Sequence, residues 1–123
     1  MRAPALALVA LVALGAASAT AKPHPAPDRV QVRGLEYDLL LSRAKLTPGR
    51  AIVQFFNAGE DAHNLRLKRL HSRGHTLGTR DVERSERLTK TFRLRPGTWR
   101  LYCSIKGHAK KGMRAKLRVR RSG

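Results

Sequence analysis

Cys103 closes an alternating run, Trp99, Leu101, Cys103, and is followed at equal intervals by His108 and Met113. The stretch reads Tyr102-Cys103-Ser104-Ile105-Lys106-Gly107-His108-Ala109-Lys110-Lys111-Gly112-Met113. It holds the only cysteine of the chain and the only methionine besides Met1. Period-two alternation makes the run up to Cys103 a strand with one face inward, so the thiol points to the interior at the strand's end. Gly107 and Gly112 immediately precede His108 and Met113, where backbone freedom helps to aim a side chain. A fold that accepts this stretch must end a strand beside a loop that curls back towards the thiol. Each residue alone has an ordinary explanation: a lone Cys is a small buried hydrophobe, a lone Met fills a core, a His is a surface polar group. Their order and spacing within eleven residues argue for a shared task.

That task is metal binding. Thiolate, imidazole and thioether form a soft nitrogen-and-sulfur donor set of the kind that suits copper. Two histidines and a cysteine in a trigonal array, with a long axial methionine, make an electron-transfer copper site. One more histidine is needed. His63, in Asn57-Ala58-Gly59-Glu60-Asp61-Ala62-His63-Asn64-Leu65, is the candidate.

The amino terminus fits this reading. Met1-Arg2 precedes an apolar run from Ala3 to Gly15 and then small residues, Ala16 to Ala21. A short basic start, about a dozen apolar residues and an A-x-A site describe a secretory signal peptide, with cleavage after Ala19 or Ala21. The run falls short of the ~20 residues a spanning helix needs. Export places the mature protein in the periplasm or outside the cell. A single cysteine there can form no intramolecular disulfide, and a ligand role accounts for it best. Removing residues 1–21 from 123 leaves 102, enough for one domain with its own core.

Residues 22–28 alternate proline and form an extended leader; residues 29–123 form the domain. From Arg29 the pattern has period two: Val30, Val32, Leu35, Tyr37, Leu39 and Leu41 give one or two strands, with a bulge expected at Gly34 where the phase shifts. Pro48-Gly49 turns into a strand Arg50–Asn57, whose Ile52-Val53-Gln54-Phe55-Phe56 is apolar enough to be buried on much of both sides. Another strand begins at His63, residues 71–86 form a loop, and Leu88, Phe92 and Leu94 mark the next strand. His71 and His75 stand four apart, but Gly74 between them argues against a helix and so against a second metal pair. Ala115, Leu117 and Val119 alternate with basic residues in a last, half-buried strand. Six or seven short strands separated by turns give an all-β fold, a Greek-key β-sandwich.

The N-x-G-x-x-x-H-N-L, P-G-T-W-R-L-Y-C and C-x4-H-x4-M segments together resemble the cupredoxins, small type 1 (blue) copper proteins such as plastocyanin and rusticyanin. The resemblance covers about the last ninety residues. It implies the same sandwich and one copper ion per chain, held by His63, Cys103 and His108 with Met113 axial. It makes Asn64 an outer residue that hydrogen-bonds across to the cysteine loop. It also sets His108 at a surface edge, passing electrons to partners. One departure stands in the loop: Lys106 occupies a position where related loops often carry proline.

The function implied is that of a one-electron carrier and not an enzyme; the alternative is a copper store or chaperone of the same fold. A copper reductase would need a second, substrate-accessible copper site, and no other three-histidine group is available. Exchange sites tend to be rich in methionine or histidine, whereas this chain has one mature Met. Removing Arg2 from 26 basic side chains leaves 25 against 8 acidic ones, a formal +17. That field attracts anionic surfaces. One Trp, two Tyr and three Phe, most at core positions, offer no stacking platform for bases, so no specific nucleic acid is expected. Lys106, Lys110 and Lys111 surround His108 without an acidic residue between Cys103 and Met113. They mark the docking collar for a redox protein with an acidic face, met by a monomer.

Overall fold

A computed structural model describes residues 1–4 and 10–122. Part of the apolar run read as an export signal, residues 5–9, lies outside the described residues. Among the described residues there are nine strands and no helix: β1 (Asp28–Leu35), β2 (Asp38–Leu41), β3 (Lys45–Leu46), β4 (Gly49–Asn57), β5 (Arg66–Arg69), β6 (Leu77–Gly78), β7 (Arg87–Leu94), β8 (Gly97–Tyr102) and β9 (Arg114–Val119). Accordingly, no helix among these residues is long and apolar enough to cross a membrane.

The strands form two sheets, ordered β2-β1-β4-β7 and β3-β9-β8-β5-β6. The β1–β4 and β3–β9 pairs are parallel and the other pairs antiparallel, so both sheets are mixed. The chain passes between the sheets five times, between β2 and β3, β3 and β4, β4 and β5, β6 and β7, and β7 and β8. This is the all-β sandwich expected from the alternation. The two strands beyond the expected six or seven are β3 and β6, each of two residues, too short to show a period.

Alternation decides which side chains enter the core. Val30 and Val32 of β1, Ala51, Val53 and Phe55 of β4, Trp99 and Leu101 of β8, and Leu117 and Val119 of β9 are all buried. Each large member stabilises the fold by about 1.5–3 kcal/mol relative to exposure, set against the entropy of ordering the chain. The indole Nε1–H of Trp99 donates to the Arg95 carbonyl at 3.0 Å, so its one polar atom is satisfied.

Two expectations change in detail. The phase shift near Gly34 is a hairpin turn and not a bulge: β1 and β2 pair without interruption from Val32–Leu41 to Leu35–Asp38. Glu36 and Tyr37 form the turn, which is why Leu35, Tyr37 and Leu39 mimic a second phase. In β4, Ala51, Val53 and Phe55 are buried while Ile52 and Phe56 are only half-buried, because no second layer among the described residues covers the outer face of this sheet. There the Arg87 guanidinium lies over the Phe56 ring, 4.2 Å from its centroid.

Asn57, at the end of β4, is fully buried. Its amide donates to the carbonyls of Asp61 at 2.7 Å and Val82 at 2.8 Å, and its Oδ1 accepts from the Gly59 N–H at 2.9 Å. A buried amide is tolerated only when its groups are paired. Asn57 thus fixes the bend of residues 57–61 that leads into His63.

Candidate metal centre

The candidate ligands meet at one end of the sandwich. β8 ends at Tyr102, so Cys103 emerges there, and β9 starts at Arg114, so Met113 stands directly opposite. The Cys103 N–H donates to the Met113 carbonyl at 3.2 Å, and the Met113 N–H to the His108 carbonyl at 3.1 Å. Within the loop, His108 N–H bonds the Ile105 carbonyl, Lys111 N–H that of Gly107, and Gly112 N–H that of Ala109. The backbone therefore fixes the loop even with Lys106 at the proline position. Gly107 (φ 84°) and Gly112 (φ 121°) occupy backbone conformations that L side chains rarely adopt, which explains glycine just before each candidate ligand.

His63 comes from the link between β4 and β5. It makes an isolated β-bridge to Val82, with N–H to O distances of 3.1 and 2.7 Å. Its Nδ1 lies 3.2 Å from Nδ1 of His108, and that atom lies 3.6 Å from Cys103 Sγ. The three donor atoms fall within 4.8 Å of one another, the one such group of His, Cys and acidic side chains among the described residues. Nitrogen and sulfur donors bound at about 2.0–2.3 Å to one ion lie roughly 3–4 Å apart, close to these separations. His63, Cys103 and Met113 have no exposed surface. His71 and His75 are exposed and belong to no such group.

Donor chemistry supports a cation at this point. His63 Nε2 lies 2.8 Å from Glu36 Oε1. An ionised carboxylate only accepts, so the proton of this contact belongs to Nε2, and in the Nε2–H tautomer Nδ1 is a bare lone pair. That lone pair faces a second imidazole nitrogen and a thiol. The donor set of His63, Cys103 and His108, with Met113 beside it, fits a type 1 copper site.

Glu36 belongs to a wall of the site that the sequence did not mark. Its Oε1 also accepts the N–H groups of Glu60 and Asp61, each at 2.8 Å. The Asp61 and Glu60 N–H groups, followed by His63, hold its pKa down at about 2. Tyr37 packs edge-on against His108 with ring centroids 5.0 Å apart. Lys111 Nζ sits 4.4 Å above the Tyr37 ring and 3.3 Å from its hydroxyl. As a result His108 is only 9% exposed, more covered than the surface edge the resemblance implies. Gly34 backs Met113: a Cβ there would lie 3.1 Å from Met113 Cε and 3.0 Å from Phe55 Cζ. The β1–β2 hairpin thus contacts three of the four candidate ligands.

Asn64 reaches across to the cysteine loop. Its Oδ1 accepts the Ser104 N–H at 2.8 Å, its Nδ2 donates to Asp81 Oδ1 at 2.8 Å, and its own N–H points at Cys103 Sγ at 3.5 Å. Lys106, Lys110 and Lys111 are all exposed around the loop. Lys111 is pinned on Tyr37, which leaves Lys106 and Lys110 as the free cations of the three.

No protein-family model matches the chain, and no curated protein matches it by sequence. Solved structures do match. Reduced auracyanin from Roseiflexus castenholzii superposes with a TM-score of 0.63 at 18% identity, over 78% of this chain and 99% of that one. Auracyanin A, a "blue" copper protein from Chloroflexus aurantiacus, gives 0.58 at 15% identity over 76% and 99%. Rusticyanin from Thiobacillus ferrooxidans gives 0.59 at 19% identity over 77% and 79%. Part of a multicopper oxidase, 41% of that chain, is similar as well. The likeness establishes the cupredoxin fold.

Proposed function

We propose that this chain is an exported type 1 copper protein that carries single electrons between redox partners. The observation that carries the reading is the convergence of His63 Nδ1, His108 Nδ1 and Cys103 Sγ at one buried point beside Met113. Bound copper supplies a one-electron couple, Cu(II)/Cu(I). The chain holds its donors still: a hydrogen-bonded loop fixes His108 and Met113, a β-bridge fixes His63, and Asn64 ties Ser104 to the His63 segment. Donors that stay in place on gain or loss of an electron keep the cost of transfer low. Structural neighbours named as a blue copper protein and as a reduced auracyanin support the same reading.

The reading includes a signal peptide at residues 1–21, a leader at 22–28 and a domain at 29–123, with the mature protein periplasmic or extracellular. Electrons leave at the His108 end, where Lys106, Lys110 and Lys111 meet an acidic redox protein and the carrier acts as a monomer. Enzyme chemistry of the multicopper oxidase kind does not enter, because this reading uses one copper per chain.

A copper store or chaperone would share the fold but must let its cargo go. Extraction by a strong copper chelator separates the two. A carrier with fully buried His63, Cys103 and Met113 should release copper over hours, and cycle repeatedly between oxidised and reduced forms without losing it. Release within seconds, or loss of copper on each reduction, would favour delivery.

A further inference from the structure

Resting on the copper reading, we propose that Glu36 is the positioning residue of the site, a fixed carboxylate that orients His63 and selects the nitrogen it offers. The carboxylate stands in a built cradle. Two N–H groups, of Glu60 and Asp61, aim at it, and His63 Nε2 completes the set at 2.8 Å. The floor of the cradle is Gly59, where a Cβ would come within 2.4 Å of Oε1 and 2.7 Å of Oε2. Only a residue without a side chain leaves room for the carboxylate. The Glu36 side chain is 28% exposed, whereas His63 is fully buried, so the charge sits at the mouth and the imidazole carries its influence inward.

Three consequences follow from this geometry. Glu36 keeps the Nε2–H tautomer, which leaves Nδ1 free to coordinate; the opposite tautomer would put a proton between the two histidines. Because the backbone clamps the carboxylate, the ring cannot turn away without giving up its hydrogen bond to an acceptor that does not follow it. The arrangement also places a negative charge one imidazole away from the ligand point in a strongly basic chain, which favours the more highly charged metal state. Outer partners of metal-bound histidines act in this way and are typically worth 10–100-fold in metal affinity.

Two variants separate positioning from charge. Glu36→Gln keeps an oxygen acceptor and removes the charge. Gly59→Ala leaves Glu36 intact and evicts its carboxylate. Its backbone is not in the left-handed region, and what must move is the end of a flexible side chain. The first readout needs no copper: nitrogen NMR of the His63 ring in the metal-free protein. The wild type should show the Nε2–H tautomer, Glu36→Gln should retain it, and Gly59→Ala should lose or mix it. The second readout is copper itself. Cu(II) affinity should fall roughly 10–100-fold in Gly59→Ala and less in Glu36→Gln, while the reduction potential should rise in both.

An Nδ1–H tautomer in the wild type overturns the proposal. So does a folded Gly59→Ala protein with wild-type tautomer, affinity and potential. If Gly59→Ala does not fold, Glu36→Gln decides alone: a raised potential with the tautomer kept supports the role, and an unchanged potential rejects it. A wild-type protein with the expected tautomer that binds no copper would end the copper reading and leave the orientation of His63 by Glu36 in place.

Discussion

Replacing Cys103 by serine is expected to abolish the intense visible band of the copper-loaded protein. A hydroxyl cannot supply thiolate-to-copper charge transfer. The loss of Cu(II) affinity should exceed the roughly 10–100-fold typical of an outer partner, because a bound donor itself is gone. Serine is nearly isosteric with cysteine, and the Asn64 N–H that points at Sγ gives its hydroxyl an acceptor role, so folding should survive. Absorption during copper titration of folded Cys103→Ser measures both effects, and a variant that stayed blue would remove Cys103 from the site. Met113→Leu is the contrasting case. Colour should persist and the potential should rise, since Cu(II) loses a weak donor while Cu(I) tolerates three ligands. An unchanged or lower potential would make Met113 packing against Gly34 and Phe55, not a ligand.

Charge reversal at the loop should have the next largest effect. Lys106→Glu with Lys110→Glu should slow electron transfer to an acidic redox protein at least about tenfold at low salt, and little at high salt. Steered association exceeds the neutral rate by up to about a thousandfold, and salt removes the gain. The charge-matched control is Arg118→Glu with Arg120→Glu. Arg118 pairs with Thr98 near the start of β8, whereas Arg114 pairs with Tyr102 beside Cys103. Arg118 lies four residue steps along β9 from Arg114, about 13 Å at ~3.3 Å per step, beyond the ~8 Å Debye length at physiological salt. Stopped-flow rates across a salt series decide it: equal slowing in both double variants would mean that only net charge matters.

Much of this was legible because it is local. The inward direction of Cys103 follows from Trp99 and Leu101, and glycine before His108 and Met113 follows from the backbone those positions need. The sandwich follows from alternation and turn residues. Other parts lie beyond the reach of period and spacing. Glu36 meets His63 across 27 residues, and Lys111 meets Tyr37 across 74, so only the closed fold makes these contacts. Glu36 reads in sequence as one polar residue between the alternating Leu35 and Tyr37, with no partner to predict. The bulge expected at Gly34 came from counting Leu35, Tyr37 and Leu39 as one alternation, although a two-residue turn interrupts it. The cover over His108 was hidden for the same reason, since Tyr37 arrives from the opposite sheet.

The most direct measurement is titration of Cu(II) into the purified, metal-free domain, followed by visible absorption and electron spin resonance. The account predicts one equivalent bound per chain, an intense thiolate-to-copper band that saturates at that equivalent, and bleaching on reduction with full return on reoxidation. Weak or absent absorption at one equivalent, or copper bound equally well without Cys103, would contradict it.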